Sequence, residues 1–270
     1  MTGGSRASLP PGRTVRVIGP GRAGRSMAAA LAGVGWEVAG ILGRGDDVAA
    51  SGDGVDLVVI ATPDAQVRHV ASAIDPRPHT VVAHLSGSLG LAATDPARHP
   101  RVGVLHPLVA MPDPELGALR LVGAWYAVAG DPLVTRVVED LGGRWFTVAD
   151  DAWAAYHAAA VIASNHVVAL LGQAERVAAT AGVDFEVYLD LVRATLDNVE
   201  ALGPAGALTG PAARGDLATI AGHLAALDPR ERPGYQAGVD LARRLAEATW
   251  PADADSGPSD PSAADADMDP

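Results

Sequence analysis

The sequence predicts an α/β fold, a doubly wound sheet in the N-terminal part followed by an all-α C-terminal domain. Three observations carry this. A short apolar run breaks into glycines at Val15-Arg16-Val17-Ile18-Gly19-Pro20-Gly21-Arg22-Ala23-Gly24; brief Val-rich runs then alternate with helical or short segments as far as Asp150; beyond that point the strand signal stops. Alternating β and α elements make a sheet covered on both faces, and a purely helical remainder makes a second layer system.

Val15 and Val17 flank an outward Arg16, as in a strand, and Ser26 to Leu31 is good helix sequence. A strand, a G-x-G-x-x-G turn and a helix in succession are the Rossmann-like arrangement for a pyrophosphate. Gly19 gives the tight turn, Gly21 removes a Cβ that would block phosphates, and Gly24 lets the helix pack close while its N-terminal amides face the anion. Trp36 to Leu42, Val55 to Ala61, Thr80 to Leu85 and Arg101 to Leu105 read as further strands, each bounded by Gly, Pro or Asp. Trp125 to Ala129, helical Pro132 to Leu141 and Trp145 to Val148 extend the sheet. From Asp151 to Thr180 the pattern predicts one long helix, apolar on most sides between Ala158 and Leu171, hence buried by its own domain or by a second subunit. Phe185 to Leu202, Asp216 to Leu227 and Tyr235 to Thr249 complete the helices. The domains expected are a disordered N-terminus at 1–13, a Rossmann-like domain at 14–150, a helical domain at 151–250 for substrate and dimerisation, and a disordered acidic tail at 251–270.

A chain of 270 residues has room for about two domains. It has no Cys, so disulfides, thiolate metal sites and cysteine nucleophiles are excluded. All 20 basic residues are Arg, so no mechanism can use a catalytic lysine. Six Asp residues between Asp253 and Asp269 account for half of the net charge of −12, and the body has no basic run, which argues against a nucleic-acid partner. Met1 to Gly12 is Gly, Ser and Pro with no apolar core, and the best apolar run, Ala158 to Leu171, is interrupted by Ser164, Asn165 and His166. A soluble, cytoplasmic protein with no membrane partner is expected. No His/Asp/Glu grouping has metal spacing, so no metal is expected.

The second strand ends in Ile41-Leu42-Gly43-Arg44. An acidic residue at this point suits NAD and an arginine suits the 2′-phosphate of NADP, so Arg44, with Arg22 as a second contact, points to NADP(H). Asp46 and Asp47 follow closely, and a purely solvated Arg44 stays open. Thr62-Pro63, after the third strand, and Ser86, after the fourth, lie at carboxyl strand ends and are expected to touch cofactor or substrate. The cofactor set is thus Gly19, Pro20, Gly21, Arg22, Ala23, Gly24, Arg44, Thr62, Pro63 and Ser86. For Pro63 a simple strand stop serves as well.

Hydride transfer to a carbonyl needs a proton donor and groups that stabilise developing oxyanion charge. His106, after the fifth strand, has a side chain that titrates near neutrality. On a continuous α-helix Ser164 falls close to the azimuth of His157, Asn165 lies further round, and His166 is opposite. His106, His157, Ser164 and Asn165 are therefore the catalytic candidates; capping and packing roles for them stay open. Arg214, in the Gly- and Pro-punctuated segment Leu208 to Asp216, is the best clamp for a small carboxylate; Asp216, which also reads as a helix N-cap, Ser86 and the weaker Asn198 complete the substrate-binding candidates.

Taken together, Gly19 to Gly24, His84-Leu85-Ser86-Gly87, His106-Pro107, Tyr156-His157 with Ser164-Asn165, Leu196 to Gly203 and Leu208 to Asp216 resemble a family of oxidoreductases that joins a Rossmann-like domain to the helical domain of unknown function 2520. The resemblance covers most of residues 14–250. It implies NADP binding, kinship with dehydrogenases that have a 6-phosphogluconate-dehydrogenase-like helical domain, and dimerisation through the long helix. Some relatives are associated with ketopantoate reduction, which implies a 2-oxo acid substrate; the lysine of the better-known ketopantoate reductases has no counterpart here. His106-Pro107 and Ser86-Gly87 also resemble loops of prephenate dehydrogenases, so a prephenate or arogenate type reaction is the alternative enzyme reading. A non-catalytic NADP-binding sensor is the alternative from another class.

Overall fold

The computed structural model describes residues 13–247. The expected disorder at 1–12 and 251–270 lies outside the described residues. Arg13, assigned above to the disordered N-terminus, is in place: its guanidinium donates to Asp140 at 2.7 Å and its carbonyl accepts from the Glu37 amide. The chain divides into two compact units, Met1–Ser164 and Asn165–Pro270. The end of the strands near residue 150 and the division at Ser164 are thus different points, the latter falling inside the long helical run.

Unit 1 holds seven strands in one sheet: β1 (Thr14–Ile18), β2 (Glu37–Leu42), β3 (Leu57–Ile60), β4 (Val81–His84), β5 (Val102–Pro107), β6 (Trp125–Gly130) and β7 (Arg144–Thr147), in the order β2-β1-β3-β4-β5-β6-β7. The first five are mutually parallel, β6 runs antiparallel to β5, and β7 is parallel to β6. β3 and β4 are buried on both faces. Their alternation has a period of two: Leu57 and Val59 join one core with Val15, Val17, Met27 and Leu31, while Val58 and Ile60 join another with Val67, Ala71 and Ile74. Helix α1 (Arg22–Gly33) covers the first face and α2 (Asp64–Ala73) the second, with α3 (Pro114–Leu121) and α4 (Pro132–Asp140) following. Asp113 and Asp131 cap α3 and α4, each with a Pro in the first turn.

Strand β5 was expected to stop at Leu105. It continues through His106 and Pro107 because the antiparallel neighbour β6 supplies partners, Ala127 and Tyr126. A single strand read alone carries no sign of such a partner.

The run expected to be one α-helix from Asp151 to Thr180 is α5 (Trp153–Val161), a π-helical turn (Ile162–His166) and α6 (Val167–Thr180). The π turn contains Ser164 and Asn165. The azimuths derived for Ser164, Asn165 and His166 relative to His157 assumed 3.6 residues per turn throughout, so they do not apply across it. Nor does the chain bury the run: Ile162, Val168 and Leu170 are exposed. By length and composition alone, Trp153–Thr180 is apolar enough to cross a membrane.

Unit 2 continues with α7 (Glu186–Ala207), α8 (Pro211–Arg214), α9 (Leu217–Ala226) and α10 (Arg232–Glu247). At Gly203, with φ of 69° just before Pro204, α7 is broken into two helices, which accounts for the predicted stop at Leu202. Among the described residues of this unit only Ala178, Ile220 and Val239 are buried, whereas Val187, Leu191, Leu196 and Leu202 of α7 are exposed.

Candidate active site

The sheet order places β3 beside β1 and opposite β2, so the chain changes direction between β1 and β3. Ligands of open α/β sheets bind outside the carboxyl ends of the strands at such a point. Gly19 ends β1 here with φ of 116°, and a Cβ on it would sit 2.5 Å from the Ala61 carbonyl oxygen, just past β3. Its amide donates to Leu42 at 2.8 Å. Gly24 abuts the Gly19 carbonyl and the Ala61 methyl, closer than any Cβ allows, which seats α1 against the turn. By contrast a Cβ on Gly21 would meet nothing within 4 Å. That open space lies at the N-cap of α1, where no side chain takes the free amides and no acidic residue occupies the first turn. It fits an anionic group.

Other cofactor candidates surround this turn. Ala23 is half-buried against the first core, and the Pro20 carbonyl accepts from Arg25 Nε at 2.7 Å, a brace that sequence reasoning missed. Arg22 is exposed and donates to the Pro112 carbonyl at 3.3 Å. Gly43 sits against the Pro20 ring. Asp46 and Asp47, the residues that kept NAD open, are occupied by their own loop: Asp46 accepts from the Gly43 amide at 2.6 Å and Asp47 from the Ala49 amide at 2.9 Å. Arg44 is exposed and makes no ion pair among the described residues. Pro63 is the N-cap residue of α2, and Thr62 Oγ1 is buried with no hydrogen-bond partner among the described residues, an orphan beside the Gly19 contact.

The loop after β4 joins this end of the sheet to the histidines. His84 is buried; its Nδ1 accepts from the Ser86 amide and its Nε2 faces the Gly90 carbonyl, both at 3.2 Å. Burial pulls its pKa down, so it serves as a neutral strut for the loop. Ser86 Oγ accepts from the Ser88 amide at 3.2 Å, and Ser88 donates to Asp64. Gly87 is the closest part of the loop to two imidazoles: a Cβ there would lie 2.5 Å from His106 Nε2 and 2.7 Å from His157 Nδ1. The two rings meet edge to face with centroids 5.8 Å apart.

The structure therefore brings Ser86, His106 and His157 together. It also adds Tyr156, whose hydroxyl is 2.7 Å from His106 Nδ1. Only its place in the Tyr156-His157 pair marked it in the sequence, since an aromatic at a helix start most often packs. The expectation that His106 titrates near neutrality is corrected: its pKa is pushed down to about 4, first by burial, then by the adjacent His157, with the Asp64 carboxylate opposing. His157 Nδ1 is buried and has no hydrogen-bond partner among the described residues.

Ser164, half-buried, and Asn165, exposed, lie in the π turn and make no side-chain hydrogen bond among the described residues. In unit 2, Arg214 ends α8, exposed and without an ion pair among the described residues, and Asn198 is exposed on α7. Asp216 caps α9: one oxygen accepts from the Thr219 amide at 3.0 Å and the other from its hydroxyl at 2.7 Å. These bonds hold its pKa down and make it the helix N-cap that the sequence predicts. No group of three or more His, Asp or Glu suited to a metal occurs among the described residues.

A glycine turn at the reversal point of a mostly parallel sheet, followed by a helical unit, defines a Rossmann-like α/β protein with a helical domain. Residues 127–241 match the family described as Domain of unknown function (DUF2520), the one the sequence motifs resemble. The comparison with curated proteins finds no match. Among solved structures, a Bacteroides fragilis protein provisionally assigned as an NADP oxidoreductase is 19% identical, with a TM-score of 0.73 over 88% of this chain and 99% of that one. A Thermotoga maritima protein is 24% identical, with a TM-score of 0.65 over 86% of this chain and 98% of that one. A reductive aminase from Aspergillus terreus, solved with NADPH and ethyl levulinate, is 15% identical, with a TM-score of 0.64 over 87% of this chain and 98% of that one. At these identities the likeness establishes a shared fold.

Proposed function

We propose that the protein is a cytoplasmic NADP(H)-dependent oxidoreductase that reduces a small 2-oxo acid, with ketopantoate the first substrate to test. The observation that carries this reading is the open cradle at Gly21 beside the Gly19 turn, together with an exposed Arg44 that makes no ion pair among the described residues while Asp46 and Asp47 are engaged in their own loop. The Bacteroides and Aspergillus structures, named for or solved with NADP cofactors, support it. Bound NADPH supplies the hydride. The amides at the start of α1 and Gly21 would hold the pyrophosphate, Arg44 and Arg22 the 2′-phosphate, and the buried Thr62 hydroxyl a polar atom nearby.

His106 is neutral at physiological pH, so it stores no proton to deliver. It offers an N–H that polarises the substrate oxygen, as a neutral imidazole does when its pKa is lowered. Delivery of the proton falls to His157, with Ser164 and Asn165 as further donors to the oxygen. The Arg214 guanidinium is the proposed carboxylate contact. The exposed apolar residues of α6 and α7 fit a homodimer in which a second copy covers them, and the polar Ser164-Asn165-His166 turn in mid-run argues for protein rather than lipid against it.

The test is NADPH oxidation over a panel of 2-oxo acids headed by ketopantoate, beside a cyclic imine and prephenate with NADP⁺, with calorimetry of cofactor binding and sedimentation for the dimer. Turnover of a 2-oxo acid supports the reading. Turnover of the imine or of prephenate alone refutes the substrate class, and NADPH binding with no turnover on the panel favours a sensor.

A further inference from the structure

We propose that Tyr156 is a positioning residue that fixes His106 in the tautomer with its proton on Nε2, so that this N–H, held against Gly87 beside His157, is the donor presented to a ligand oxygen.

The hydroxyl of Tyr156 and Nδ1 of His106 are 2.7 Å apart, and this is the only hydrogen bond of that hydroxyl among the described residues. Two arrangements satisfy the distance. If Nδ1–H donated, the Tyr156 proton would have to find another acceptor. No other protein acceptor meets the hydroxyl among the described residues, and the rings packed on it beside His106, Phe146 at 5.7 Å and Trp153 at 5.9 Å between centroids, carry none, so that proton would be left to water. If the hydroxyl donates, both partners are satisfied. A neutral imidazole has one proton, so an accepting Nδ1 requires that proton on Nε2. The ionisation states agree with the geometry: burial raises Tyr156 to about 12, keeping it a donor, and His106 is neutral above about pH 4.

The same contacts aim the ring. His106 is fixed at one end by its place in β5 opposite Ala127, and at Nδ1 by Tyr156. Its Nε2 edge lies on Gly87, where any side chain would displace both imidazoles. A ring pinned on three sides presents one N–H without searching, which is where a tautomer error is most costly. The tautomer follows from contacts within unit 1 alone; its importance for turnover rests on the reductase reading above.

Long-range ¹H–¹⁵N NMR of the full-length protein labelled at histidine decides the matter between pH 6 and 8. In the wild type, His106 should show an unprotonated Nδ1 and a protonated Nε2. In Tyr156→Phe, which keeps the ring but removes the donor, His106 should shift to a mixture of tautomers while the other histidines keep their signals. With an active substrate, the same variant should lose about tenfold in kcat, the worth of one neutral hydrogen bond, with the Kd for NADPH unchanged. Gly87→Ala should lower kcat further by displacing the Nε2 edge. A wild-type His106 protonated on Nδ1, or a tautomer indifferent to Tyr156→Phe, overturns the proposal whatever the substrate. The expected NMR result with no turnover of any substrate would uphold the tautomer and refute the reductase reading instead.

Discussion

Acidification should unfold this protein partly through His106, by an amount the structure lets one work out. In the unfolded chain the imidazole titrates near 6.5; in the folded chain burial and His157 bring it down to about 4. Above 6.5 both states are neutral and the group favours neither. As the pH falls, the unfolded chain takes up a proton that the folded chain refuses, so stability is lost between 6.5 and about 4. At about 1.4 kcal/mol per pH unit the full loss is about 3 kcal/mol, a large part of the stability of an ordinary domain. Below about 4 both states are protonated and the loss stops growing. The assay is urea unfolding at pH 7, 6, 5 and 4 for the wild type and His106→Gln, which cannot titrate. His84, also lowered by burial, is present in both, so its own share cancels in the difference apart from its coupling to His106. The wild type should lose about 3 kcal/mol more than the variant over this range. Parallel stability curves, or an NMR titration of His106 centred near 6.5, would show that burial does not hold the ring neutral and that the neutral-donor role is wrong.

The glycines separate packing from binding. Gly21→Ala places its methyl in open space and should leave the melting temperature unchanged while weakening NADPH binding at least tenfold; Gly24→Ala, pressed into the Gly19 carbonyl, should lose about 1–3 kcal/mol of stability as well as binding. Arg44→Ala should cost NADPH about tenfold or more in Kd, the worth of a charge-assisted bond, and leave NADH binding unchanged, as calorimetry with both cofactors will show. Asp216→Ala should lower stability by about 1 kcal/mol in thermal or urea unfolding through loss of the α9 cap, with KM for the active substrate unaltered.

Much of unit 1 was legible because its signals are local. A buried parallel strand needs a short Val-rich run, and Leu57 to Ile60 and Val81 to His84 supply it; a dinucleotide turn needs glycines at fixed spacing, and Gly19, Gly21 and Gly24 supply those. What escaped depends on neighbours distant in sequence. The extension of β5 through His106 is a gift of β6, and the low pKa of His106 comes first from burial that no local pattern states and then from a ring about fifty residues away on α5. The π turn was hidden for a different reason: Ile162 to His166 is compatible with an α-helix residue by residue, so the change in winding has no compositional mark. Tyr156 shows the same limit at the level of chemistry. As a sequence letter it is a core aromatic, and only its 2.7 Å contact with Nδ1 makes it a hydrogen-bond donor with a task.

The sparse interior of unit 2 bears on how the protein fares when it is scarce. Helices that bury only Ala178, Ile220 and Val239 among their described residues owe their persistence to whatever covers the remaining apolar side chains. With a second copy as that cover, folding and association become one equilibrium, and the unfolding midpoint rises with concentration by mass action. Newly made chains without a mate are then the ones whose helices open, and opened helices are what proteases cut. Assembly would act as a quality threshold, leaving paired molecules to accumulate and clearing solitary ones.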